Sequence, residues 1–408
     1  MSDDFPRPTI PLKPALSLGS FFGDRARGRV PSILDAGAVL HVTSGRAAIA
    51  LALRDMGIAR GNQVLVPAFH CTSMIEPVIW ASAEPIFYRV RNDALIDLDD
   101  AERKLSPSTR AILVAHYFGF PQDMKPIQDF CNKHNLVLIE DCAHAFFGEH
   151  DGQPLGSFGQ YAVTSAMKFF PIYDGGCLVS RHRSLRHIRL DAGGPAFEAK
   201  SAVNVLEYAL EYGRLRAVRY PLKAAFTIKD AVWRGIKSRR DESNVSPIGP
   251  GASDGEYAFD PKWLTARMSG ISRFILRTAS RSRIIDRRRQ NFSLLLRGLS
   301  GIPGATPLFS RLPEGVVPYV FPLLVDAPER VFPTLKQQGV PILRFGEYLW
   351  RGVDASVCPV AAEFSRRLLQ FPCHQELRQN ELAWMITRVR EALLERPAFH
   401  AHPATVPT

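Results

Sequence analysis

From residue 40 to residue 180 the chain alternates short apolar runs with stretches of helical period. In HVTSGRAAIALALRDMGI, Thr43 or Ser44 stands where an N-cap belongs, and Ala47, Ile49, Ala50, Leu51 and Leu53 follow as the apolar side of a helix. The runs VLVPAF, EPIFYRV, AILVAHYFG, LVLIED, YAVTSA and GGCLVS are rich in β-branched or aromatic residues and bounded by turn-prone or helical stretches, the pattern of buried strands. DLDDAERKL and PIQDFCNKH read as intervening helices. Strands that alternate with helices predict an α/β fold: a mostly parallel sheet covered on both faces, with ligands at the carboxyl ends of its strands.

The second half is patterned differently. Residues 201–240 predict one or two basic helices carrying Leu206, Tyr208, Leu210, Tyr212, Leu215, Val218, Leu222 and Phe226. The following stretch, DESNVSPIGPGASDGEYAFDP, has Gly, Pro, Ser and Asp without apolar periodicity and reads as a linker. Beyond it an Arg-rich run, ISRFILRTASRSRIIDRRRQNFSLLLRGL, predicts one long helix, PYVFPLLVDA a strand and ELAWMITRVREALLE a terminal helix. These elements divide the chain into a large domain over residues 1–250, including the basic segment 201–240, and a smaller α+β C-terminal domain over residues 251–408. No internal repeat is present.

Composition adds limits. With 408 residues, 46% hydrophobic and 22% charged, the chain is long enough for two or three domains and near the globular average. The six cysteines form no CxxC pair, so they predict neither a structural zinc nor a redox dithiol, and no metal site is expected. The N-terminal MSDDFPRPTIPLKPALS lacks a secretory apolar core, and no run approaches a membrane span, which makes the cytoplasm the expected compartment.

The net charge of +11 is regional. Residues 214–240 hold nine Lys or Arg against one Asp, and residues 264–298 nine Arg against one Asp, leaving the rest of the chain net acidic. Such a field serves equally as a solvated helix face or as a seat for a phosphorylated substrate. Segment 201–240 is also read as a surface that could dock peripherally on the anionic inner face of a membrane. A nucleic-acid partner is not expected, because only about 40 Pro-containing residues precede the alternating strand and helix pattern, too few for a separate DNA-binding module.

Four features of the first half carry chemistry. Asp141 closes the strand LVLIED, with His144 three residues on. A buried carboxylate there needs a cationic or hydrogen-bonding partner, although an Asp after a strand is also a common helix N-cap. Lys168 follows the run YAVTSA and is framed by Phe169 and Phe170; desolvation there would depress its pKa and make it a nucleophile toward aldehydes, while the alternative is a surface lysine with a buried stem. Ser44, Gly45 and Arg46 open a helix, where free N–H groups favour a bound phosphate. Phe69 and His70 end a strand, suited to stacking on a flat ring or to filling the core.

A carboxylate, a framed lysine, a phosphate cradle and a stacking ring together meet the needs of pyridoxal phosphate. In order and spacing the chain resembles the DegT/DnrJ/EryC1/StrS family of sugar aminotransferases, pyridoxal-phosphate enzymes of fold type I. The resemblance rests on SGRAAIALAL, VLVPAFHCTSMIEPVIWASAEPIF, AHYFGFPQDM, LIEDCAHAFFG, PLGSFG and MKFFPIYDGG; it is strong over residues 40–180 and weaker over 264–395. It implies that Lys168 tethers the cofactor and shuttles a proton, that Asp141 holds the pyridine nitrogen protonated, and that His144 stands beside the ring. Ser165, with the Ser44, Gly45 and Arg46 turn, would bind the phosphate, and Phe69 or His70 would stack on the ring.

The resemblance further implies a homodimer that moves an amino group from an amino acid, glutamate above all, to a nucleotide-linked keto sugar in glycan or secondary-metabolite biosynthesis. The alternatives are a pyridoxal-phosphate enzyme acting on a non-sugar ketone and another reaction of the same cofactor; sugar dehydratases of this kind replace the lysine by histidine, so Lys168 favours transamination. The chain departs from the family pattern at three places. Cys71 stands where an aromatic is frequent, the interval from Ser165 to Lys168 is two residues short, and Thr265 stands at the Asn position of a Gly-x-Asn-x-Arg-Met run.

Overall fold

The computed structural model describes residues 5–23, 30–215 and 259–395. The second half of the basic segment 201–240 and most of the linker lie outside the described residues. So do the large hydrophobic residues Val218, Leu222 and Phe226 and, with them, most of the surface read as a membrane dock. No helix among the described residues is long and apolar enough to cross a membrane.

Seven strands build the main sheet: β1 (Ala38–Val42), β2 (Gln63–Pro67), β3 (Glu84–Tyr88), β4 (Thr109–Ala115), β5 (Val137–Asp141), β8 (Tyr161–Ser165) and β9 (Gly176–Ser180). A short hairpin, β6 (Glu149–His150) with β7 (Gln153–Pro154), lies outside it. The order is β1-β9-β8-β5-β4-β2-β3, and only β9 runs against the rest. The sheet is therefore mostly parallel, as the alternating pattern predicts, and six of the strand runs read from the sequence are its strands β2, β3, β4, β5, β8 and β9. Because β1, β5 and β8 point the same way, Val42, Asp141 and Ser165 end at one edge, and the reversed β9 begins there with Gly176.

Helices α1 (Gly45–Asp55), α2 (Thr72–Trp80), α3 (Leu98–Arg103), α4 (Met124–His134) and α5 (Pro195–Glu211) join and follow these strands. Residues 46–53 of α1 are all buried, packed against β8, β9 and α2. Its alanines let the backbone approach the sheet, while Ile49, Leu51 and Leu53 each add about 1.5–3 kcal/mol of burial. A helix buried all round can hold its N-terminus at the sheet edge without help from solvent. Helix α2 is not evident in the sequence, since Pro77 falls in its interior.

The C-terminal part contains α6 (Gly270–Thr278), α7 (Arg281–Leu299), α8 (Pro328–Gln337), α9 (Pro359–Arg367) and α10 (Gln379–Leu394). They accompany a four-stranded antiparallel sheet, β10 (Ala305–Pro307), β11 (Val320–Val325), β13 (Leu368–Pro372) and β12 (Leu343–Arg344), in the order β10-β11-β13-β12. The long Arg-rich helix is corrected to two. Ala279 is extended and Ser280 caps α7 by accepting the Arg283 N–H at 3.3 Å, so the extended Ala279 stops one helix and the Ser280 cap starts the next.

The arginines of α7 are also not a free cationic face. Arg283 pairs with Glu376, Arg287 and Arg289 donate to main-chain carbonyls, and Arg288 is fully buried. The N-terminal segment crosses this region, with the Oγ of Ser17 and of Ser20 donating to Glu376 at 2.8 and 3.1 Å.

Candidate active site

The turn after β1 forms the first wall. Ser44 caps α1, its Oγ accepting the Ala47 N–H at 3.2 Å, so Gly45 and Arg46 form the first turn of the helix at the sheet edge. A Cβ on Gly45 would meet Ser165 Cβ at 3.6 Å, and Gly176 packs against the Ser44 peptide unit, so β1, β8 and β9 bring Ser44, Gly45, Ser165 and Gly176 together. The buried Ser165 hydroxyl makes no hydrogen bond with a described residue. The helix N-terminus, its dipole and the Ser165 hydroxyl would together suit an anion, which makes this turn the candidate anion seat. Arg46 contributes differently from the cationic role its charge invites: its guanidinium pairs with Glu76 of α2 at 2.9 Å.

Asp141 is buried at the end of β5. Burial raises its pKa; the Ala143 N–H, bonded at 2.8 Å, and then the charges of Lys168 and His116 pull it down. A carboxylate held in that balance is stabilised by any further N–H donor that reaches it. Lys168 ends a short 3-10 turn, Ala166–Lys168, just past β8, and is half-buried with its Nζ 5.3 Å from the centre of the Tyr319 ring.

His144 is buried between two rings, with centroids 5.5 Å from Phe118 and 4.7 Å from Tyr319. Its Nδ1 accepts the Phe118 N–H at 3.3 Å, which places the proton of the neutral ring on Nε2. Burial, and next the Lys168 charge, push its pKa well below the ordinary histidine value. Phe345 also packs on the ring, edge to face, with centroids 5.0 Å apart. Phe118 is left-handed at φ 58°, held so by the His144 bond and by its carbonyl, which accepts the Tyr319 N–H at 2.8 Å.

Phe69 and His70 are placed elsewhere, a correction to the expected stacking pair. Phe69 is fully buried among Tyr117, Phe118, Phe345 and Phe364. His70 stacks on Phe87, its Nδ1 lies 3.0 Å from the Pro67 carbonyl, and its Nε2 accepts the Trp350 N–H at 2.8 Å. Burial lowers its pKa to about 4, so it is a neutral strut with both nitrogens committed.

Three potential metal ligands, His116, Glu140 and Cys142, have donor atoms within 4.8 Å of one another. Their chemistry is already spent. Glu140 accepts N–H bonds from Gly156, Phe158 and Gly159 and pairs with His116, and burial raises the Cys142 thiol far above its ordinary pKa. The cluster explains the PLGSFG run: Glu140 pins that loop beneath β5.

Arg288, Tyr319 and Gln375 are site neighbours that the sequence does not single out. An arginine within RRR looks like a surface charge, and the two others come from a different part of the chain. Beside Lys168, a groove of about 440 Å³ begins at Met167 and is lined by Lys13, Tyr173, Tyr208 and Tyr212. Leu12, Lys13 and Pro14 wall both this groove and a small crevice that reaches Lys168.

The residues present fit pyridoxal phosphate. The anion seat would hold its phosphate, Asp141 its ring nitrogen and Lys168 its aldehyde carbon. The model of the DegT/DnrJ/EryC1/StrS aminotransferase family matches residues 29–190. GDP-perosamine synthase of Vibrio cholerae is 32% identical over 142 residues, 34% of this chain, and the chain spans only 39% of that relative's length. UDP-N-acetyl-3-dehydro-alpha-D-glucosamine 3-aminotransferase of Acidithiobacillus ferrooxidans is 26% identical over 91% of this chain and 89% of its own. Among solved structures, a putative sugar aminotransferase from Streptococcus pneumoniae in its PMP form shares the fold, with TM-score 0.61, 17% identity and 88% of each chain covered.

Proposed function

Residues 29–190 belong to the DegT/DnrJ/EryC1/StrS aminotransferase family, and from that premise we propose that the chain is a pyridoxal-phosphate-dependent aminotransferase. It takes an amino group from an amino acid, glutamate in this reading, and delivers it to a nucleotide-linked keto sugar. The observation that carries the reading is the convergence of Asp141, Lys168 and the Ser44 to Ser165 anion seat on one edge of the sheet.

Bound there, the cofactor supplies an electron sink for the bond that breaks at the donor's α carbon. Lys168 Nζ is the base that takes the α proton and the acid that returns it. Asp141 keeps its charge against a ring N–H, and the protein interior keeps water from competing for it. Ser44, Gly45, Arg46 and Ser165 hold the phosphate through hydroxyl and main-chain donors. His144 offers Nε2–H as a neutral donor that does not compete with Lys168 for the proton. The tyrosine-lined groove at Met167 takes the part of the acceptor that does not react. The reading includes a homodimer in the cytoplasm, and sedimentation of the purified chain tests the assembly.

The arginines expected to seat a diphosphate are partly spent on Glu376 and on carbonyls, which favours a second reading, a non-sugar ketone as acceptor. Both are tested by incubating the protein with pyridoxal phosphate, glutamate and a panel of nucleotide-linked keto sugars and simple ketones, with products read by mass. Turnover of simple ketones alone selects the second reading. Lys168→Ala should abolish borohydride trapping of the cofactor; trapping that persists in that variant refutes the site.

A further inference from the structure

Arg288 is fully buried in α7 and has no carboxylate partner among the described residues. Burial lowers its pKa to about 10, so it keeps its charge at neutral pH at a cost in solvation. Its two terminal nitrogens donate to main-chain oxygens of two separate segments. Nη2 bonds the Lys168 carbonyl at 2.8 Å, and Nη1 bonds the carbonyls of Pro318 and Tyr319 at 3.2 and 2.8 Å. Nε bonds Gln375 Oε1 at 3.1 Å, and Gln375 Nε2 in turn donates to the Phe169 carbonyl at 2.8 Å. The guanidinium carbon lies 4.3 Å from the centre of the Phe169 ring.

The two segments so joined are those that frame the lysine amine. One carries Lys168 itself; the other carries Tyr319, whose ring faces Nζ on one side and stacks on His144. We propose that Arg288, with Gln375, is a positioning residue for amino transfer: it brackets the Lys168 and Tyr319 backbones so that Nζ is held at a fixed place beside the His144 ring. A desolvated arginine whose bonds all go to neutral acceptors is retained for geometry, since an apolar residue of similar size would cost less to bury. Only a planar fork reaches carbonyls of both segments at once; a lysine ammonium at the same place is a point charge on a shorter reach. The proposal rests on the aminotransferase reading.

The test compares wild type with Arg288→Lys and Gln375→Leu. Folding is checked by circular dichroism and thermal unfolding. Two quantities are then read: the pH dependence of Lys168 acetylation by acetic anhydride in the cofactor-free protein, followed by peptide mass, and the single-turnover rate with glutamate in the loaded enzyme.

Loss of charge-assisted bonds of this kind should slow single turnover about 10-fold or more while donor KM changes less than about 3-fold. The acetylation midpoint of Lys168 should move as well, which a general loss of stability would not produce. Wild-type midpoints and rates in both folded variants overturn the positioning role. If Arg288→Lys fails to fold, Gln375→Leu decides alone, because it removes the Phe169 and Arg288 Nε bonds without burying a charge. A wild-type protein that neither traps pyridoxal phosphate on Lys168 nor shows its absorbance overturns the aminotransferase reading itself, a result distinct from normal trapping with unaffected variants.

Discussion

Gly176 lies against the peptide unit of Ser44 so closely that a Cβ there would stand 2.4 Å from the Ser44 carbonyl carbon and 2.7 Å from the Gly45 nitrogen. Both contacts are backbone, so neither can yield by a rotamer change. The glycine is what allows β9 to support the turn that opens α1.

Gly176→Ala therefore displaces the anion seat. Overpacking of this kind costs about 1–3 kcal/mol, and we expect the variant to unfold at lower temperature and to bind pyridoxal phosphate about 10-fold or more weakly, since its phosphate donors move together. Fluorescence titration with the cofactor checks this; wild-type affinity would show that the seat lies elsewhere.

Asp141→Asn separates stability from activity. Burial raises the Asp141 pKa, so the folded state resists ionisation that the unfolded chain accepts above about pH 4. Stability is lost as pH rises through that range, and the amide avoids the loss while still accepting the Ala143 N–H. The cofactor-free variant should melt higher than wild type at pH 7, with the difference shrinking toward pH 4, yet transfer amino groups on the order of 100-fold more slowly. A variant that melts no higher at pH 7 argues against a strained carboxylate.

His374 ties the N-terminal segment to the end of β13. Its Nε2 donates to the Pro11 carbonyl at 2.8 Å and its Nδ1 accepts the Glu376 N–H at 3.2 Å, with burial lowering its pKa to about 3. The unfolded chain binds a proton near pH 6.5 that the folded ring refuses, so stability is full above that pH and falls as pH drops toward the folded value. Urea unfolding should show stability falling below about pH 6, with His374→Gln removing about 1.4 kcal/mol per pH unit of that slope. An unchanged slope would mean that the ring is protonated in the fold.

Asp174, in the run PIYDGG, accepts the Ser269 N–H at 2.8 Å and the hydroxyls of Ser269 and Ser272 at 2.6 and 2.7 Å. It fastens the loop beyond Lys168 to the start of α6. Asp174→Ala strands three buried donors and should cost about 3 kcal/mol or more in chemical unfolding. The same variant should load less cofactor at saturating concentration, and normal loading would separate this anchor from the site.

The local pattern of the chain determined six of the seven strands of the main sheet, the helix at Ser44 and the strand-end places of Asp141 and Lys168, because buried strands write themselves as apolar runs and a parallel sheet collects their ends at one edge. Only tertiary packing decided the fate of residues whose type suits two roles. Phe69 and His70 sit at a strand end like ligand residues, yet Phe364, Phe345 and the Trp350 N–H arrive from more than 250 positions away and absorb them. Arg288 reads as one surface charge among many, but α7 carries it against the Lys168 and Tyr319 carbonyls, where burial makes its bonds specific. A sequence states what each side chain can bond; which partner comes within reach depends on contacts between distant segments, and those arise only when the chain closes on itself.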